Sequence, residues 1–424
     1  MKNATVGPRV GQRRGATLAI AFAVSAAVWT WIEAPAHADP APPAAAAPVA
    51  QDEPPPPPPI SPSPADKIPE PVIAPPAPPP PAPEPAGNPK QIETGFALRV
   101  GGRLQGTTDR SKLNDFGFDE VYAEARFSGR LTPIFAWQFN LNASYDPLGG
   151  TGAANIMDAI VKFEPIMEFH LWAGRMLVPS DRSNFSGPWF ISPWKYTAAD
   201  MPVPFVGPRT QPFGRDNGVT AWGTFGDGKV KYYAGAYNLS TPAESPLFSG
   251  RLNICLIGSE PGYYHSSTYY GSQDIVAVAV GGQYQNNGQP SGASGNNYSL
   301  INGDLLAEKN LGPGGVPTIE VGYYHYGNSF TVIGTPPAPT TPVVKNFFYV
   351  LGSWLTPQTI GIGKLQPLVR WQQTSDPSWK ILDAYVTYVI DEYFLRFAVG
   401  YEHTDFGAGT TNGNAILLGA QMQR

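Results

Sequence analysis

From residue 91 onward the chain alternates apolar and polar side chains in short segments, the two-residue period of a strand whose faces meet different surroundings. Within 135–145, Phe135, Trp137, Phe139, Leu141, Ala143 and Tyr145 share one face, and Ala136, Gln138, Asn140, Asn142 and Ser144 the other. Tyr393, Leu395, Phe397, Val399 and Tyr401 alternate with Phe394, Arg396, Ala398, Gly400 and Glu402; Phe96, Leu98, Val100, Gly102 and Leu104 alternate with Ala97, Arg99, Gly101, Arg103 and Gln105. A soluble β-sandwich would alternate too. Two features point instead to strands crossing lipid. The apolar faces run about ten residues, the length of a tilted membrane strand, and aromatic residues gather at segment ends, as an interfacial girdle requires.

The pattern predicts an all-β protein, a single transmembrane antiparallel β-barrel. Sixteen strands are expected near 96–105, 117–130, 135–146, 155–163, 168–176, 217–226, 229–239, 250–257, 273–285, 298–308, 318–328, 344–356, 364–374, 379–389, 393–403 and 414–422. A barrel of that size leaves an aqueous lumen. Counted from a periplasmic N-terminus, tight turns fall at Thr132-Pro133, Glu164-Pro165, Asp227-Gly228 and Asp391-Glu392, and longer loops fall on the other side. The stretch 258–272 is too long for a periplasmic turn and could conceal a misplaced strand.

Composition adds the ends of the chain. Lys2, Arg9, Arg13 and Arg14 precede an apolar run over 16–32, and Ala36-His37-Ala38 follows. This reads as a signal peptide over 1–38, cleaved near Ala38, in preference to a membrane-anchoring helix. Residues 39–90 are Pro- and Ala-rich, with an unbroken proline row at 54–59. Such a segment cannot bury a core; it is expected to be a disordered polyproline-II spacer in the periplasm, with contact to the cell wall as an alternative. The barrel is expected over 91–424. After residue 38 no further 18-residue apolar run exists, yet the chain carries 10 Trp, 20 Tyr and 21 Phe. Removing 1–38 takes four basic residues and Glu33 from totals of 28 and 33, leaving a net charge of about −8 that disfavours a nucleic-acid partner. The lone Cys255 excludes an intramolecular disulfide framework.

The longest connection, 177–214, carries Arg182, Lys195 and Arg209 among Pro, Trp and Phe. A loop of that length without secondary structure is functional or disordered, and its aromatics argue for order. The place for them to pack is the barrel interior, where the loop would narrow the pore.

Four passages resemble the phosphate-selective porins O and P: Gly102-Arg103-Leu104-Gln105, Asp158-Ala159-Ile160-Val161, Gly174-Arg175-Met176-Leu177-Val178-Pro179, and Arg215-Asp216-Asn217-Gly218-Val219 with 232–238 after it. They cover 95–240; the remainder is similar by pattern alone. The resemblance implies a sixteen-stranded barrel, a homotrimer, a pore constricted by the third loop, and basic side chains that select anions such as phosphate. Anion selection requires inward cations at the narrowest point. Alternation places Arg99, Arg103, Arg126, Arg130, Arg370 and Arg396 on polar faces, while Arg175, Arg182, Lys195, Arg209 and Arg215 belong to the loop or its roots. The alternative for each arginine is pairing with a carboxylate to hold the wall. Glu120, Glu124 and Glu402 share those faces, and the acidic total charge departs from a strongly anion-selective channel.

The expected partners are outer-membrane lipid and small solutes. No cofactor or metal is expected, because no Cys/His cluster, GxSxG, HExxH or Walker loop stands in a fitting context. The competing functions are an enzyme, for which His403-Thr404-Asp405 is the slender candidate, and a barrel anchor whose Pro-rich arm tethers. A channel specific for sugars or organic acids would need aromatics along the lumen, with Trp194, Tyr323, Tyr324 and Tyr326 as candidates.

Overall fold

The computed structural model describes residues 92–107, 113–146, 151–198, 214–238, 245–286, 297–331, 343–375, 378–407 and 413–424. The segments expected at 1–38 and 39–90, together with Arg209, lie outside the described residues, as does the side chain of Arg103.

Sixteen antiparallel strands close into a barrel. They are β1 Ile92–Thr107, β2 Leu113–Thr132, β3 Phe135–Asp146, β4 Thr151–Ile166, β5 Phe169–Leu177, β6 Arg215–Phe225, β7 Val230–Tyr237 and β8 Leu247–Ile257. The second half comprises β9 Ile275–Gln285, β10 Tyr298–Glu308, β11 Val316–Thr331, β12 Val343–Leu355, β13 Lys364–Thr374, β14 Lys380–Asp391, β15 Leu395–Asp405 and β16 Gly413–Gln423. Each strand pairs with its sequence neighbours, and β1 pairs with β16 from Ala97↔Gln423 to Thr107↔Gly413. Closure removes both sheet edges, so the wall satisfies its own backbone donors and acceptors, a condition that hydrocarbon imposes on any spanning sheet. All sixteen expected segments are strands, and no helix among the described residues is long and apolar enough to cross a membrane.

The faces are inverted relative to a soluble protein. Phe397, Val399 and Tyr401 of β15 are exposed, while Arg396, Ala398 and Glu402, which alternate with them, are buried. On β1, Phe96 and Leu98 point outward and Ala97 and Arg99 inward; on β16, Ile416, Leu418 and Met422 oppose Leu417, Gln421 and Gln423. An apolar outer surface around a polar interior is stable where the outer solvent is hydrocarbon. Tyr393 departs from the expected outward face. It lies in the turn before β15 and is buried, and its hydroxyl accepts from Thr268 N at 3.0 Å.

Connections sort by parity as expected. The chain reverses at Pro133-Ile134, Met167-Glu168, 226–229 and 392–394 on the end that holds both barrel termini, where Arg424 N bonds to Phe96 O at 2.8 Å. On the same end, 258–274 joins β8 to β9 and conceals no strand. Its length has another cause, described next.

Candidate functional site: the lumen and its inserted segments

After β5 the chain enters the barrel. A single helical turn, α1 (Arg182–Ser186), is capped by Asp181, whose side chain accepts from Asn184 N at 3.2 Å. The described part of the loop, up to Ala198, then crosses the lumen over the inner face of the wall. Wall arginines hold it by its carbonyls. Arg99 donates to Pro188 O at 2.5 Å, Arg396 to Ile191 O at 2.8 Å and Arg370 to Lys195 O at 2.9 Å. Gln421 donates to Trp189 O at 3.0 Å, and Ala198 N donates to Gln372 Oε1 at 2.6 Å. Trp194 lies under the Arg99 guanidinium, 4.0 Å from it, and against β16. A Cβ built on Gly419 would stand 2.3 Å from that indole. Gly419→Val is therefore expected to lift Trp194 off the wall, seen as tryptic cleavage at Lys195 in an otherwise folded barrel.

The 258–274 segment enters from the opposite end and meets this loop. Ser267 N donates to Phe190 O at 3.0 Å, and His265 N to Phe185 O at 3.5 Å. An ion lattice forms where they touch. Arg182 forks onto Glu260 at 2.7 and 3.0 Å, and its backbone N–H donates to Asp304 at 3.2 Å. Arg251 forks onto Asp304 at 2.5 and 2.9 Å and also donates to Ser180 O. Two buried guanidinium groups thus face two buried carboxylates. Burial alone would raise the Glu260 carboxyl, but the Arg182 guanidinium beside it holds it well below its usual range. Burial above all, with Lys231 after it, pushes His265 well below its ordinary value. The imidazole is then neutral, and its Nδ1 lies 2.9 Å from Glu260.

A cavity of about 160 Å³ lies between the loop and β2–β6. Arg126, Glu124, Asp158, Arg215, Gln138 and Tyr264 contribute to its lining. Arg126 Nε donates to Glu124 at 2.7 Å, and Trp189 Nε1 donates to the other oxygen of that carboxylate at 2.8 Å. Arg215 lies 3.3 Å from Asp158, which also accepts from Asn140 at 2.7 Å. The paired charges are unequally exposed. Arg126 shows 25 % of its side chain against 3 % for Glu124, and Arg215 shows 8 % against 1 % for Asp158. The wall therefore presents cations over carboxylates held behind them.

The structure separates the arginines singled out in the sequence. Arg126 and Arg215 reach the cavity. Arg99, Arg370, Arg396 and Arg182, buried as Arg215 is, bind the inserted segments. Lys195 is half-buried on the loop. Arg130 sits at the rim on the termini end, 2.9 Å from Glu164. Arg103 pairs in register with the inward Leu417. Arg175 corrects the expectation that it lines the pore. It continues the outward series Phe169, Leu171 and Ala173, lies opposite Ala159 of β4, and donates to Ile156 O at 2.8 Å. Of the aromatics, Trp194, Tyr324 and Tyr326 are interior and Tyr323 is outward; His403 pairs with Asn414 at 2.9 Å. Sequence reasoning missed Glu260, Asp304, Arg251 and His265. Alternation marks Arg251 and Asp304 as inward, and the excess length of 258–274 was the signal for the other two.

The closed sixteen-stranded barrel is a fold that this chain shares with outer-membrane porins of known structure. No protein-family profile matches the chain, and no curated protein does. Among solved structures, Salmonella typhi OmpF in complex with daunomycin is similar with a TM-score of 0.53 at 10 % identity, over 78 % of this chain and 97 % of that one. A loop L8 deletion mutant of OmpT, an outer membrane protein of Vibrio cholerae, reaches 0.48 at 13 % identity over 78 % and 99 %. A mutant porin of Rh. blastica reaches 0.48 at 11 % identity over 79 % and 100 %. At such identities the likeness is one of fold.

Proposed function

We propose that the protein is an outer-membrane porin of a Gram-negative bacterium, exported by a signal peptide cleaved near Ala38. It passes small hydrophilic solutes by diffusion past the inserted loop. The observation that carries this reading is the inverted barrel: an apolar outside, a polar inside, and a loop lying across the lumen beside a charged cavity. Small anions, phosphate among them, are the preferred solutes, because Arg126 and Arg215 are more exposed than the carboxylates they cover. The test is the reversal potential of single channels in a planar bilayer under a KCl gradient, with and without phosphate. Anion-selective current reduced by phosphate is expected. Cation selectivity would remove the anion preference and leave a general porin, whereas a folded, inserted protein without current would sink the porin reading.

The outer face supports assembly into a homotrimer. Ala123, Ala143 and Ala154 are neighbours across β2, β3 and β4, with Ala173 exposed on β5. Among these small residues stands Arg175, opposite the middle of β4. A charged residue facing lipid near the bilayer midplane costs about 2–4 kcal/mol, so a second copy covering it is the stable arrangement. Arg175→Glu is expected to convert the assembly to monomers in light-scattering chromatography; a retained trimer would place the interface elsewhere.

A further inference from the structure

On the termini end of the barrel, β2–β3 and β4–β5 are joined by two residues each, while β8 and β9 are joined by seventeen. A turn of two residues suffices for an antiparallel pair, so the extra chain calls for a role that its ordering serves. It does not lie outside. Glu260, Tyr263, His265, Ser267 and Thr268 are all buried. The segment leaves the wall at Lys231, which donates to Gly262 O at 2.6 Å, and spans the lumen. Tyr264 reaches β3 on another part of the wall, where Gln138 Nε2 lies 3.4 Å from its hydroxyl, and Thr268 reaches Tyr393 beside β15. Its aromatic side chains continue the packing of α1, with Tyr263 stacked on Trp172 at 4.4 Å and 5.4 Å from Phe185. The base is fitted to the wall as well. Gly228, in the β6–β7 turn, has φ 85°, and a Cβ there would stand 2.6 Å from Pro261 N.

We infer that 258–274 is a second constriction element, entering from the termini end, and that it sets the aperture jointly with the 178–198 loop. This rests on the porin reading above. Tyr264 is the specificity-determining side chain of the segment, because it reaches the cavity that Arg126 and Arg215 also line. Either inserted segment alone would leave the lumen wider. Together, joined through Arg182 and Glu260, they bound a cavity on one side of the barrel, along β2–β6. The solutes admitted are small ions and molecules of comparable size, with larger sugars held back.

The lone cysteine provides a readout independent of current. Cys255 points inward from β8, buried with Ile275, Ala277 and Leu306 and with Tyr269 of the segment packed against that cluster. The experiment shortens 258–274 to an Asn-Gly turn in the full-length protein. Folding is checked by heat-modifiable gel mobility. Labelling of Cys255 by a charged, water-soluble maleimide, single-channel conductance, and liposome swelling in sugars of increasing size are then compared with wild type. Cys255 should become reactive, conductance should rise by roughly twofold or more, and larger sugars should enter. Unchanged conductance and size limit in a folded, labelled, conducting variant would overturn the inference and leave the porin reading standing. Labelling without current in either protein would overturn both. Should the shortened barrel fail to assemble, Tyr264→Ala replaces it: a wider size limit supports the inference, and an unchanged one overturns it.

Discussion

Asp304→Ala is expected to leave the barrel closed and to release the loop inside it. Asp304 accepts from Arg251 at 2.5 and 2.9 Å and from the Arg182 backbone N–H at 3.2 Å, with the Arg182 Nε 3.8 Å away. All three side chains are buried. Removing one member of a buried ion pair costs about 3–5 kcal/mol, because the remaining charge loses its partner and stays out of water. In Asp304→Ala the Arg251 guanidinium loses its forked partner, while Arg182 keeps its fork onto Glu260. The wall does not depend on this lattice: β10 keeps its ladders to β9 and β11 through backbone bonds. The change should therefore fall on the inserted loop and not on the strands. Thermal unfolding of the barrel should move little. Meanwhile trypsin should cut at Arg182 or Lys195 at least tenfold faster than in wild type, as about 1.4 kcal/mol of lost local stability per tenfold requires. Noisy, enlarged single-channel conductance should accompany the cleavage. A variant as resistant as wild type would mean that the carbonyl bonds from Arg99, Arg370 and Arg396 suffice to seat the loop.

The strands were readable in the sequence because each reports its two solvents locally. Phe397-Ala398-Val399 needs no knowledge of the rest of the chain to declare which side is hydrocarbon. The lumen was not readable in that way. Arg99 binds Pro188 across 89 residues of chain, and Gln421 binds Trp189 across 232, and no local period encodes either contact. Alternation correctly placed Arg99, Arg370 and Arg396 on the inner face. Whether an inward arginine meets solute or a loop carbonyl depends on where the loop comes to rest. Arg175 was misread for a different reason. Its place at the loop root suggests the lumen, although its own strand continues the parity of Leu171 and Ala173 through it. The 258–274 segment was visible only as excess length, since nothing in Glu260 or His265 announces a partner such as Arg182, 78 residues earlier.

Arg126→Gln is expected to turn the ion preference toward cations. Arg126 and Glu124 form one neutral pair on the cavity wall, but the guanidinium faces the open side and the carboxylate lies behind it, held also by Trp189. A passing anion meets the nearer charge first. With the guanidinium replaced by a neutral amide, the Trp189 bond still keeps Glu124 in place, and the local charge falls from zero to −1. A unit charge at 4 Å acts with about 1 kcal/mol in bulk water and about 4 kcal/mol at an effective dielectric of 20. The weaker limit already shifts the anion-to-cation permeability ratio by roughly fivefold, read as displacement of the reversal potential toward that of potassium. Salt should mute the effect, since the Debye length shrinks to about 3 Å at 1 M. Glu124→Gln, which removes the charge behind, should move the potential the opposite way and by less. The double variant, restored to local neutrality, should return close to wild type. If both single variants leave the reversal potential where it was, the pair is a strut of the wall and the solute path runs elsewhere in the lumen.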